Sequence, residues 1–227
     1  MRVQLALVLL LAVGCKGGDA KGADPPAGAK VGAATAGAPA EGSASAAGPV
    51  AVGQEAPDFT LDDLDGKPVR LRDHRGKVVV VEWYNPDCPF VKQAHGEDGT
   101  LKGMAQRNAE KGVVWLAVNS GAPGKQGAGA ERNRASVEEY GISYPVLLDE
   151  AGTTGRAYGA TATPHMFVID PAGKLVYAGA LDNKPLGKVK GDAYVAYTQD
   201  AIDAALAGRP APTPTTQAWG CSVKYAD

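Results

Sequence analysis

Three cysteines among 227 residues are the side chains here best suited to chemistry near neutral pH: Cys15, Cys88 and Cys221. They are too few to staple a scaffold and too far apart to share one framework, so each is read by itself. Cys88 has the most informative setting. It follows a β-branched run, Val78-Val79-Val80-Val81, by way of the break Asn85-Pro86-Asp87, and Pro89 suits the first turn of a helix. Unpaired backbone N–H groups and the positive end of a helix at that place lower a free-thiol pKa of about 8.5 toward neutrality. The resulting thiolate is the species that attacks a disulfide or an oxidant. The competing reading is a small buried hydrophobe, as free cysteines often are.

The neighbours of Cys88 have two readings each. Lys92, four residues on, shares its helix face, where its ammonium either helps to hold a thiolate or is solvated. His95 lies seven residues on, about 10 Å along a regular helix, and reads as a surface histidine. His74, in a polar stretch, reads as a solvent-facing loop residue.

The elements that must position this thiol begin at residue 50. Asp-Phe-Thr-Leu (58–61) and Pro-Val-Arg-Leu (68–71), separated by a segment with Asp65-Gly66, predict a β-hairpin. Residues 77–83 predict a central strand covered on both faces. A helix is expected from Cys88 or Pro89 to about Lys111, interrupted near Gly96, Gly99 and Gly103. Residues 113–118 read as the next buried strand, 121–130 as a Gly-rich loop without phosphate-loop spacing, and 131–140 as helix. A short strand over 144–148 and a helix over 152–158 follow. Residues 165–169 and 174–178, joined by Asp170-Pro171-Ala172-Gly173, carry the clearest hairpin signal, and 194–206 read as a last amphipathic helix ended by Gly208 and Pro210. This order implies an α/β fold with a mixed sheet flanked by helices and an N-terminal β-hairpin extension.

The first 49 residues belong to no core. Met1-Arg2 and the apolar stretch to Val13 read as a signal peptide over residues 1–14. Eleven apolar residues make about 17 Å of helix, short of a roughly 30 Å hydrocarbon core. Leu11-Ala12-Val13-Gly14-Cys15 resembles the bacterial lipobox, with Ala12 where Leu is usual, which implies lipidation at Cys15. Residues 15–49, rich in Gly, Ala, Pro and Ser, cannot offset their ordering entropy and read as a disordered leash. An exported, membrane-anchored lipoprotein on the periplasmic side of the cell envelope is the expectation.

The set of motifs resembles the redoxin, or AhpC/TSA, branch of the thioredoxin-like superfamily. The resemblance rests on Val52-Gly53-Gln54 to Leu61, Gly66-Lys67, Arg75-Gly76-Lys77, the segment Trp83-Tyr84-Asn85-Pro86-Asp87-Cys88-Pro89-Phe90, and Ala157-Tyr158-Gly159-Ala160 leading to Thr163-Pro164 and Met166-Phe167-Val168-Ile169-Asp170. It covers roughly residues 50–207 and implies a thioredoxin-like domain, Cys88 as the active-site cysteine, and a cis peptide at Thr163-Pro164 facing it. His165, next to that proline, is then a candidate proton donor or acceptor.

Two departures matter. Val91 stands where a thioredoxin-type oxidoreductase has its second cysteine, and Asn85 where peroxiredoxins have a threonine. The terminal Gly220-Cys221-Ser222-Val223-Lys224-Tyr225 resembles a C-terminal Gly-Cys-Ser-Ile-Lys-Trp segment found in redoxin-like proteins that also carry Cys-Pro-Phe. If the tail, 208–227, folds back, Cys221 is a distal resolving thiol or a structural bridge to Cys88; otherwise it is idle or intermolecular.

The resemblance implies an antioxidant, thiol-dependent peroxidase or a thiol–disulfide oxidoreductase. Its partners would be a small oxidant or protein disulfide, an external thiol reductant and the membrane. The alternative is a non-catalytic or metal-handling lipoprotein of the same fold. With 23 basic against 25 acidic residues, the chain has no field suited to nucleic acid. No motif asks for a metal or a cofactor.

Overall fold

A computed structural model describes residues 48–189 and 191–227. The signal peptide, the Cys15 lipidation site and nearly all of the linker lie outside the described residues. Two short strands, β1 (Thr60–Asp63) and β2 (Pro68–Arg70), form the first hairpin. β3 (Val79–Trp83) follows, buried along its whole length as a β-branched run with helices on its flanks should be. The expected long helix is two short ones, α1 (Pro89–His95) and α2 (Met104–Ala109). The break has a steric cause at Gly99, where a Cβ would stand 2.1 Å from the carbonyl oxygen of Ala94.

Then come β4 (Val114–Asn119), α3 (Ala130–Tyr140), β5 (Val146–Leu148) and α4 (Thr153–Tyr158). The chain continues through the two-residue β6 (Ala162–Thr163), β7 (His165–Ile169) and β8 (Leu175–Gly179). Gly173 closes the β7–β8 turn with φ of 83°, a conformation that favours glycine. α5 (Tyr197–Leu206) starts three residues later than its sequence pattern suggests. β9 (Cys221–Ser222) comes last.

Seven strands form one mixed sheet in the order β2-β1-β5-β4-β3-β7-β8, with β3 parallel to β4 and antiparallel to β7. The hairpin joins this sheet by pairing β1 antiparallel to β5. Alternation along β3 feeds two cores. Val79, Val81 and Trp83 pack with Phe59, Tyr158 and Phe167, while Val80 packs with Met104, Trp115, Met166, Tyr177 and Ile202. α1, α2 and α5 contribute to the second core, and α3 lies beside α1 through Val137 and Tyr140. This is the thioredoxin-like α/β arrangement, extended by one hairpin.

The segment after α5 is folded onto the domain. Thr215 bridges Ala178, Thr216 Oγ1 accepts a hydrogen bond from the Ala180 N–H (2.8 Å), and Trp219 donates to the Asp182 carbonyl (2.6 Å). The Tyr225 hydroxyl donates to Ala160 O (2.8 Å). Its side chain fills a slot made by Gly152 and Gly155, where a Cβ would lie 2.6 Å from the ring and 2.3 Å from the hydroxyl.

Among the described residues no helix is long and apolar enough to cross a membrane.

Candidate active site

Cys88 caps the N-terminus of α1 with an extended backbone, φ −73° and ψ 124°, and its N–H donates to Asn85 O (3.1 Å). The turn before it is clamped from α3. Arg132 binds the Asp87 carboxylate at 2.9 Å, and the Tyr140 hydroxyl donates to Pro86 O (3.0 Å). Asn85 accepts the Asp87 N–H and donates its amide to Gln126 O (3.0 Å). Gly127 allows that approach, because a Cβ there would be 2.1 Å from the Asn85 side-chain oxygen. The Cys88 sulfur is thereby fixed through its backbone.

Opposite Cys88 lies the cis peptide Thr163-Pro164. The Cys88 thiol donates to Thr163 O at 3.0 Å. β6 pairs antiparallel with β9 so that Thr163 faces Cys221, and Cys221 packs against Cys88. Both cysteines are free thiols, Cys88 buried and Cys221 half-buried. Burial opposes ionisation of Cys88. Hydrogen bonds from the Cys221 thiol, the Thr163 side chain and the backbone N–H groups of Val91 and Cys221 more than offset it, so its pKa lies below that of an ordinary thiol. With only seven residues in α1, these donors rather than a helix dipole carry the effect. Cys221 moves the other way, to about 11, through burial and through its contact with Cys88. The two shifts run in opposite directions, so Cys88 is the more readily ionised sulfur of the pair.

The remaining candidates are engaged with other partners. Lys92 reaches 4.0 Å from Asp87 and is half-exposed. His165 is buried with its ring on Phe167 (4.4 Å), and its Nδ1 accepts a long hydrogen bond from the Thr161 N–H (3.4 Å). Burial lowers its pKa to about 4, leaving it neutral near pH 7. His95 is a correction: it is buried, not on the surface, because the chain turns back at Gly96. It sits 2.8 Å from the fully buried Glu82, whose second oxygen accepts from Trp115 Nε1 and the Tyr144 hydroxyl, each at 3.1 Å. Glu82 went unread in the sequence; a lone carboxylate closing a run of valines was the available signal. His74 is a smaller correction, since its Nε2 is buried without a hydrogen-bond partner among the described residues. Among the described residues no cluster of three or more His, Cys, Asp or Glu side chains is placed to hold a metal ion.

A cis-proline loop facing a cysteine at a strand-to-helix turn, on this sheet, defines a thiol redox protein of thioredoxin-like fold. Residues 52–178 match the AhpC/TSA family, and the chain belongs to it. It is 35% identical over 126 residues to the thiol-disulfide oxidoreductase ResA of Geobacillus thermodenitrificans, an alignment covering 56% of this chain and 67% of that one. Among solved structures, an uncharacterized conserved protein from Geobacillus kaustophilus shares 32% identity at a TM-score of 0.68, covering 78% of this chain and 93% of that one. A hypothetical protein from Sinorhizobium meliloti shares 29% identity at 0.67, covering 78% and 96%.

Proposed function

We propose that this chain catalyses thiol–disulfide exchange with Cys88 and Cys221 as its redox couple. The observation that carries this reading is the meeting of the two thiols against Thr163. In the reducing direction the Cys88 thiolate attacks a substrate disulfide and expels one thiolate. Cys221 then attacks the Cys88 sulfur of the mixed disulfide and expels the second. An external thiol reductant restores the pair. Cys221 takes the part that Val91, at the third position after Cys88, is chemically unable to play.

Peroxide reduction is the second reading of the same thiolate, favoured by family membership. The site supports it less well, because the Asn85 side chain is committed to Asp87 and Gln126, and Arg132 to Asp87. Stopped-flow oxidation of the reduced protein by a small disulfide and by hydrogen peroxide decides between them. Exchange is expected to dominate and to vanish in C88S. Fast peroxide consumption with negligible disulfide exchange would reverse the assignment.

The N-terminal sequence supports export and acylation at Cys15. Metabolic labelling with a radioactive fatty acid should mark the wild-type chain and leave C15S unmarked; equal labelling, or none, contradicts it.

A further inference from the structure

The C-terminal segment occupies the backbone edge of β6, whose Thr163 carbonyl accepts the Cys88 thiol. Among the described residues the strand that pairs along the Thr163 edge of β6 is β9 of the same chain, in the register Ala162 to Ser222 and Thr163 to Cys221. Adding a foreign strand needs an unpaired edge, and this one is taken. The fit is close: a Cβ on Gly220, whose φ is 141°, would stand 2.1 Å from Thr163 O. Trp219 packs its ring 5.8 Å from that of Phe90, two residues after Cys88 on α1. The segment is latched further on, where Arg156 lies 4.6 Å over the Tyr225 ring and Lys224 O accepts the Ala122 N–H (2.8 Å). Under this strap Cys88 has no accessible surface, whereas Cys221 keeps some.

Resting on the exchange reading above, we infer that the 214–227 strap makes the site selective for small disulfides over folded protein disulfides, by filling the β6 edge with the chain's own residues. A small molecule needs only a local opening beside half-buried Cys221 to reach Cys88; a folded partner needs β9 to leave. For a small disulfide R–S–S–R the balance is complete. Its S–S bond breaks, the Cys88–Cys221 bond forms, and the two thiol protons end on two R–SH.

The test compares the full-length protein with W219A/Y225A, which keeps both cysteines and loosens two anchors, and with the milder Y225A in case the double variant does not fold. Oxidation of the reduced proteins is followed with hydroxyethyl disulfide and with insulin. The intact protein is expected to react with the small disulfide and at least about tenfold more slowly with insulin, and loosening the anchors should remove most of that gap, a tenfold ratio being about 1.4 kcal/mol. Equal rates with the two probes in the intact protein, or an unchanged ratio in the folded variants, overturn the inference. A second readout does not depend on redox activity. In a C221S background, Cys88 should react with iodoacetamide but resist a polymer-linked maleimide until the anchors are removed. If the intact protein exchanges with neither disulfide, the proposed function falls, and the alkylation ratio alone decides the strap.

Discussion

The carbonyl oxygen of Thr163 accepts the Cys88 thiol at 3.0 Å while the residue it belongs to is paired, across a two-strand ladder, with Cys221. One backbone unit thus holds both sulfurs in register. The carbonyl favours the protonated form of Cys88, and the surrounding donors favour the ionised one. The donors win, and one of them is the partner sulfur.

It follows that C221A removes a donor to the Cys88 thiolate. The Cys88 pKa should rise, because a hydrogen bond to the charged form is lost. Ultraviolet thiolate absorbance against pH measures it, and an unchanged midpoint contradicts the assignment.

His165 makes the fold sensitive to acid. Its pKa is lowered by burial from 6.5 to about 4, so the unfolded chain binds the proton more readily. The stabilisation is fully present above about pH 6.5 and is lost as pH falls through about 4, with a magnitude of roughly 2 to 4 kcal/mol. Urea midpoints between those pH values should therefore fall in wild type and fall less in H165F.

Glu82 is fully buried and satisfied by three side chains. E82A leaves His95, Trp115 and Tyr144 without their shared acceptor and should cost about 3 to 5 kcal/mol. E82Q, which keeps the shape and one acceptor, should cost less. Denaturant unfolding ranks the two, and a neutral E82A would show that the cluster contributes little.

Gly220 is the residue on which the strap turns against Thr163. G220A has both an unfavourable φ and a clash with the Thr163 carbonyl. Detachment of β9 should cost about 1 to 3 kcal/mol and raise the alkylation rate of Cys88. Unchanged protection of Cys88 in a folded G220A would refute the packing described.

Much of this fold could be read from the chain because its strongest signals are local. The Val78–Val81 run, the Asp170–Gly173 turn and the Pro86–Cys88–Pro89 transition each fix their own element. What escaped notice depends on distant partners. A helix continued past His95 leaves that residue facing solvent, and only the reversal at Gly96 puts it over Glu82. The slot for Tyr225 is cut by Gly152 and Gly155, some seventy positions earlier, and no periodicity joins those residues. The same distance left the tail open as either idle or folded back, until the pairing of Thr163 with Cys221 placed it.

The most direct test of the central claim is a peptide map, made without reduction, of protein equilibrated across a series of thiol redox buffers. The account predicts one linked peptide pair, containing Cys88 and Cys221, that appears in a single two-electron transition. Two thiols that stay free across the whole series, or links formed only between separate molecules, would contradict it.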